Sequence, residues 1–270
     1  MLKSVKVVLL STTLLSLLMG CSFLKKNDLS VNLFPISQDK QLGLQVKEEI
    51  ASNPQEYPLL DRKKHAEAYK HIDRIFQGIL NSGAVKYRNE FAWEVYIIKD
   101  DNVLNAFCTP GGYIYVYTGL IKYLDKESDL AGVMGHEIAH ADLRHSTRQL
   151  TKLYGIEILS AVALGENSGT TVAEIAKGLV SLKFSRSHES EADAESVEYL
   201  CPTPYPADGA AAFFQKLLDG SQTGGTPEFM STHPSPANRV EDIKAKSTEL
   251  SCAGNKSFDK RYQEFKKALP

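Results

Sequence analysis

The strongest constraint on this chain is the run Gly135-His136-Glu137-Ile138-Ala139-His140. On a helix, residues four apart stack one turn above another, so the two imidazoles face the same way and can grip one metal ion. Neutral imidazole suits zinc, and a catalytic zinc takes three protein ligands with a fourth position open to water. Glu137 then sits beside the ion, set to take a proton from that water. Such a run arises by chance on the order of once in a hundred chains of this His and Glu content, so its surroundings matter. The apolar flank, including Leu130, Val133 and Met134, would bury this helix face, where unpaired histidines are costly; a solvated surface helix is disfavoured.

Two histidines leave such an ion one ligand short, and Ser185-Arg186-Ser187-His188-Glu189-Ser190-Glu191-Ala192-Asp193 offers the carboxylates. Glu189 and Asp193 are one turn apart on one helix face, and Ala192 is small enough for a close helix approach. Glu189 is preferred as third ligand, with Glu191 the alternative, and Asp193 is then the acceptor that orients a ligand imidazole. His233 precedes Pro234, which sets it in extended backbone on a loop that could fold over a cleft.

With 43% hydrophobic and 24% charged residues in 270, the chain has ample material for one catalytic domain. A formal net charge of −2 and no block of Lys/Arg argue against a nucleic-acid partner. Residues 1–20 are a separate object: a basic leader with Lys3 and Lys6, an apolar run from Val7 to Met19, then Gly20-Cys21. That order reads as a signal peptide ending in a lipobox, with Cys21 lipidated and residues 21–35 a tether before a domain over 36–270. An exported chain can form disulfides. Of the three pairings open to Cys108, Cys201 and Cys252, Cys201 with Cys252 is preferred because they flank the C-terminal region. Cys108, in an apolar strand, is expected to be buried and free.

Along the mature chain, four-residue steps predict helices over Ser37–Ala51 and Asp61–Ser82, with His65 and His71 of the second facing solvent. Alternation then predicts strands over Phe91–Ile98, Asn102–Thr109 and Tyr113–Tyr117 in a small antiparallel sheet, Tyr113, Tyr115 and Tyr117 sharing one face. Asp125 is a candidate N-cap for a long metal-site helix reaching Tyr154. Gly155–Gly178 reads either as two closely packing helical pieces or as a loop. Phe258, Tyr262, Phe265 and Leu269 predict a C-terminal docking helix.

In order, Asn105-Ala106-Phe107, Gly111-Gly112-Tyr113-Ile114, Gly135 through His140, Ser185-Arg186 through Asp193, and Thr232-His233-Pro234 with Arg239 resemble the HtpX and CAAX-prenyl-protease family of gluzincin metallopeptidases. The likeness is closest to its soluble periplasmic BepA- and LoiP-like lipoprotein branch. It implies an α+β, mostly helical zincin-like domain with the small sheet beside the active-site helix, one Zn²⁺ per chain on His136, His140 and Glu189, and Glu137 as general base. It also implies His233 and Arg239 as catalytic residues near the cleft. Asn105, Ala106, Phe107 and Tyr113 would receive an extended peptide by strand addition. The implied activity is an envelope endopeptidase acting on misfolded or unassembled envelope proteins, held by its lipid to a membrane facing the periplasm, the outer one by the Ser22 pattern. A membrane-tethered chaperone with a latent or structural zinc site is the alternative. Only about thirty residues follow Val240, which leaves no room for the helical-repeat array of some branch members.

Overall fold

The computed structural model describes residues 32–154, 169–221, 228–235 and 238–270. Residues 1–31, with the leader, Cys21 and most of the expected tether, lie outside the described residues, as do 155–168 of the Gly155–Gly178 stretch. Helices α1 (Ile36–Ser52) and α2 (Ala66–Leu80) precede strands β1 (Glu94–Ile98), β2 (Ala106–Thr109) and β3 (Tyr113–Tyr117). The remaining elements are helical: α3 (Thr118–Tyr123), α4 (Glu127–Asp142), α5 (His145–Tyr154), α6 (Gly169–Val180), α7 (Arg186–Leu200), α8 (Gly209–Ser221), α9 (Glu228–Thr232), α10 (Arg239–Glu249) and α11 (Asp259–Ala268). No described helix is long and apolar enough to cross a membrane.

The core is built around α4, which is buried on every face. Its small residues make this possible: a Cβ on Gly132 would lie 2.1 Å from the Ala210 nitrogen, so only glycine lets α8 come this close. A neighbouring flank, at Gly135, meets Ser196 and Leu200 of α7, and the sheet and α2 also pack against α4. Strand alternation divides the apolar side chains between two clusters. Val95, Ile97, Ala106, Cys108, Ile114 and Val116 face the α4 side, whereas Phe107 and the tyrosines of β3 pack beneath α1 and α6. The three tyrosines therefore share a face, as their spacing predicts.

Several expectations need correction. The sheet is mixed, not antiparallel, in the order β1-β3-β2. β2 and β3 form the antiparallel hairpin through Gly111 and Gly112, both at positive φ, but β3 then inserts beside β1 and runs parallel to it, Val95 opposite Ile114. Period two sets which side chains are buried and does not set which strands are neighbours. The long helix does not run unbroken to Tyr154: it ends at Asp142, and Arg144 adopts a left-handed conformation (φ 60°) before α5 begins. Asp125 does not cap α4; Lys126 holds that position and Asp125 pairs with Lys216 at 2.7 Å. His71 is buried rather than solvent-facing, because α11 docks Phe265 over its ring at 5.4 Å. The body also begins earlier than residue 36, since Phe34 is buried and the Asn32 amide donates to Thr147 Oγ1 at 2.9 Å. Cys108 is buried and free, and the structure joins Cys201 to Cys252.

Candidate metal centre

His136 and His140 project from the same side of α4 with their Nε2 atoms 3.0 Å apart, both rings fully buried. α7 crosses this face and brings Glu189, whose Oε2 lies 3.4 Å from His136 Nε2 and whose Oε1 lies 3.4 Å from His140 Nε2. The start of α7 is secured locally by Ser185, whose side chain accepts the backbone N–H of His188. Just past α9, the His233 ring stacks on Phe229 with centroids 4.1 Å apart and turns Nδ1 toward Thr232 Oγ1 at 2.9 Å. Its other nitrogen, Nε2, is 3.4 Å from Glu137 Oε1 and has no hydrogen-bond partner among the described residues.

One ligand atom from each of His136, His140, Glu189 and His233 lies within 4.8 Å of the others. The separations themselves test the fit to zinc. Bonds of about 2.0–2.1 Å to a tetrahedral ion hold its ligand atoms roughly 3.4 Å apart, against 3.0, 3.4 and 3.4 Å here. Lone pairs facing each other at this range in a dry interior repel unless a cation lies among them. Glu137 adds a carboxylate with both oxygens buried and without a hydrogen-bond partner among the described residues. The residues fit a zinc ion.

A family model described as Peptidase family M48 matches residues 66–247. The chain belongs to peptidase family M48. It is 33% identical over 158 residues to the mitochondrial metalloendopeptidase OMA1 of Arabidopsis thaliana, covering 58% of this chain and 32% of that protein. The beta-barrel assembly-enhancing protease of Yersinia pestis is 30% identical over 170 residues, 57% of this chain and 34% of its own. Metalloprotease YcaL of Escherichia coli K12 is 28% identical over 190 residues, 67% and 69% of the two chains. The chain thus spans about a third of the length of the first curated relatives it matches. M48 metallopeptidases use zinc.

Within this M48 chain the surrounding charges are arranged for a cation. Burial pushes Glu137 up to about 8 although the His136 and Arg239 charges pull the other way, and a metal cation beside it would favour its ionised form further. Burial works against a charged His136, but its bond to Asp193 and the Glu189 carboxylate outweigh it and lift it to about 9. Burial likewise opposes ionised Glu189, and the histidines and Arg239 around it draw it down to about 2. Asp193 Oδ1 is 2.9 Å from His136 Nδ1, and Arg239 forks onto Asp193, Nε to Oδ2 at 2.7 Å and Nη2 to Oδ1 at 2.8 Å. Nη2 of Arg239 also reaches Glu189 Oε2 at 3.1 Å, and its guanidinium stacks 3.5 Å over the Phe214 ring.

Of the residues singled out in sequence, His136, Glu137, His140, Glu189, Asp193, His233 and Arg239 come together. Arg239, expected to be catalytic, is engaged behind His136 with Asp193. Asn105, Ala106 and Phe107 lie at or beside β2, an edge of the sheet, and α6 packs against that strand. Tyr113 departs from the expectation: it is on the central strand β3 beneath α1, with Lys47 Nζ 5.2 Å from its ring centroid. Glu191 turns away from the cluster toward His145 and Arg148. His145 was not foreseen as part of the site, yet its Nδ1 is 2.8 Å from His140 Nδ1. Five residues from His140, it matches no helical spacing, and no local signal marks the left-handed turn that carries it there.

Proposed function

We propose that this protein is a zinc-dependent endopeptidase of the bacterial cell envelope that cleaves misfolded or unassembled envelope proteins. The observation that carries the chemistry is the cluster of His136, His140 and Glu189 ligand atoms at zinc spacing, next to the buried carboxylate of Glu137, which has no hydrogen-bond partner among the described residues. Those three residues would hold one zinc per chain. Bound there, zinc supplies Lewis acidity that polarises the scissile carbonyl and makes a water acidic enough to lose a proton near neutral pH. Glu137 accepts the water proton on a carboxylate oxygen and returns it to the leaving amine nitrogen. Asp193 accepts from His136 Nδ1 and so keeps the lone pair of Nε2 turned inward. The bonds of Arg239 to Asp193 and Glu189 support a positioning role for it in place of a catalytic one. His233, its Nε2 aimed beside Glu137, is suited to donate to the developing oxyanion.

The edge position of β2 supports strand addition of the substrate along Asn105, Ala106 and Phe107, read through the backbone and so tolerant of sequence. Tyr113, on the central strand, is not part of that surface. The basic leader, apolar run and Gly20-Cys21 support export and lipidation at Cys21, facing the periplasm and most consistent with the outer membrane. Relatives named beta-barrel assembly-enhancing protease support beta-barrel assembly as the setting. Cys21→Ser should release the protein from sedimenting membranes; a variant that stays membrane-bound argues against the lipid anchor.

A second reading is favoured by His233: four inward-pointing ligands suit a closed site, and closed zinc sites are structural or latent. One panel separates the readings, zinc content together with cleavage of an unfolded protein in the parent, Glu137→Gln and His233→Ala. An active parent should keep its zinc and lose about 10²–10⁴-fold in rate on Glu137→Gln; undiminished cleavage would remove the mechanism. Zinc-loaded but inactive parent and His233→Ala would favour a tethered chaperone.

A further inference from the structure

An unbroken helix would carry a residue five positions after His140 round to a different face. Instead α4 ends, Arg144 takes its left-handed conformation, and α5 starts at His145. Arg144 is held in that turn from outside, its Nε donating to Asp39 Oδ2 of α1 at 2.9 Å and its Nη2 to the Phe34 carbonyl. The buried His145 ring is thereby folded back against His140. His188 stacks on that ring at 4.4 Å, and Nε2 of His145 faces Glu191 Oε2 at 3.2 Å, an oxygen that also accepts from Arg148 Nη1 at 2.7 Å.

Proton bookkeeping sets the direction of these bonds. His140 Nε2 points into the cluster with His136 and Glu189, so a metal there needs its lone pair and the one ring proton must sit on Nδ1. Two Nδ1 atoms 2.8 Å apart need one donor and one acceptor, so His140 donates and His145 accepts. The proton of His145 is then on Nε2 and is donated to Glu191. We propose that His145 is a positioning residue for the metal: backed by Glu191 and Arg148, it locks His140 in its Nδ1–H form and aims Nε2 at the ion. His136 receives the same service directly from a carboxylate, Asp193, whereas His140 receives it through an intervening imidazole. The bonded series ends at Glu191, whose side chain is 37% exposed, so it links a buried ligand to the protein surface.

This rests on His136, His140 and Glu189 as ligands, and the test separates the two. Zinc affinity is measured on the full chain by competition with a chromophoric chelator, and the visible spectrum of the Co²⁺-loaded protein reports ligand geometry. His145→Leu removes the acceptor, whereas His145→Asn sets an amide oxygen close to where Nδ1 was. Circular dichroism of each variant without metal checks the fold. His145→Leu should lose about 10–100-fold in zinc affinity and shift the Co²⁺ bands, with His145→Asn restoring affinity to within a few-fold of the parent. Parent-like affinity and spectrum in His145→Leu, or an equal loss in His145→Asn, overturns the assignment. A parent chain that binds no zinc overturns the ligand set itself and this inference with it.

Discussion

Asp193 shows how a residue that never reaches the ion can govern its binding. It meets His136 Nδ1 on one oxygen and the Arg239 fork on both, inside a nearly dry site. Asp193→Asn keeps an acceptor for His136 but takes from the buried Arg239 guanidinium the carboxylate it grips with both Nε and Nη2, leaving it only Glu189. Zinc affinity should fall by about 10–100-fold while the chain stays folded, read by chelator competition beside circular dichroism; unaltered affinity would show that the acceptor behind His136 need not carry a negative charge. At this scale much was legible from spacing. Glu189 and Asp193, four apart, share a face and meet the same imidazole from two sides. Glu191, two residues from Glu189, projects elsewhere and meets His145. Which of the two carboxylates faced α4 was not decidable from α7 alone, because the answer depends on how the helices cross.

Elements carry their own consequences, and α2 shows one. Its apolar face is wider than a single contact requires, so the docking of α11 buries His71 against Phe265. Burial, then the nearby Arg74 charge, hold His71 below its ordinary value of 6.5, with Glu67 and Glu127 pulling the other way. In the unfolded chain His71 takes up its proton near that ordinary value, and in the folded chain only at lower pH. This contribution to stability is therefore complete above pH 6.5 and is lost as pH falls from there toward the folded value. His71→Phe keeps a ring on Phe265 and should show a smaller fall in Tm than the parent between about pH 7.5 and about pH 5.5. Equal falls in thermal unfolding would mean that His71 is not the group responsible. The helices and strands themselves were readable from period, but the order β1-β3-β2 and the turn at Arg144 were not. Arg144 is held by Asp39 and Phe34, more than a hundred residues earlier.

Across the whole molecule, the Cys201–Cys252 bond ties the end of α7 to the segment after α10, across 51 residues of sequence. These are the two helices that supply Glu189, Asp193 and Arg239. Closing a loop of that size removes unfolded-state entropy worth about 2–4 kcal/mol. The double variant Cys201→Ser, Cys252→Ser should therefore melt several degrees lower in the absence of reductant, and reductant should lower the parent toward it. Identical melting of parent and variant under oxidising conditions would deny the bond a stabilising part. The N-terminal segment acts over a longer stretch of sequence still, since Asn32, Phe34 and Asp39 grip the corner between α4 and α5 from more than a hundred residues away.

What the sequence determined by itself was whatever depends on residues within one element. Two imidazoles four apart, a carboxylate between them, a second carboxylate pair at the same spacing and alternating strands all follow from helical and pleated geometry alone. Tertiary structure decided what depends on elements meeting. It turned Glu189 to the cluster and Glu191 to His145, gave Arg239 to Asp193, put β3 at the centre of the sheet, and folded His145 back onto His140. Those outcomes rest on contacts between residues far apart along the chain, and local period carries no information about them.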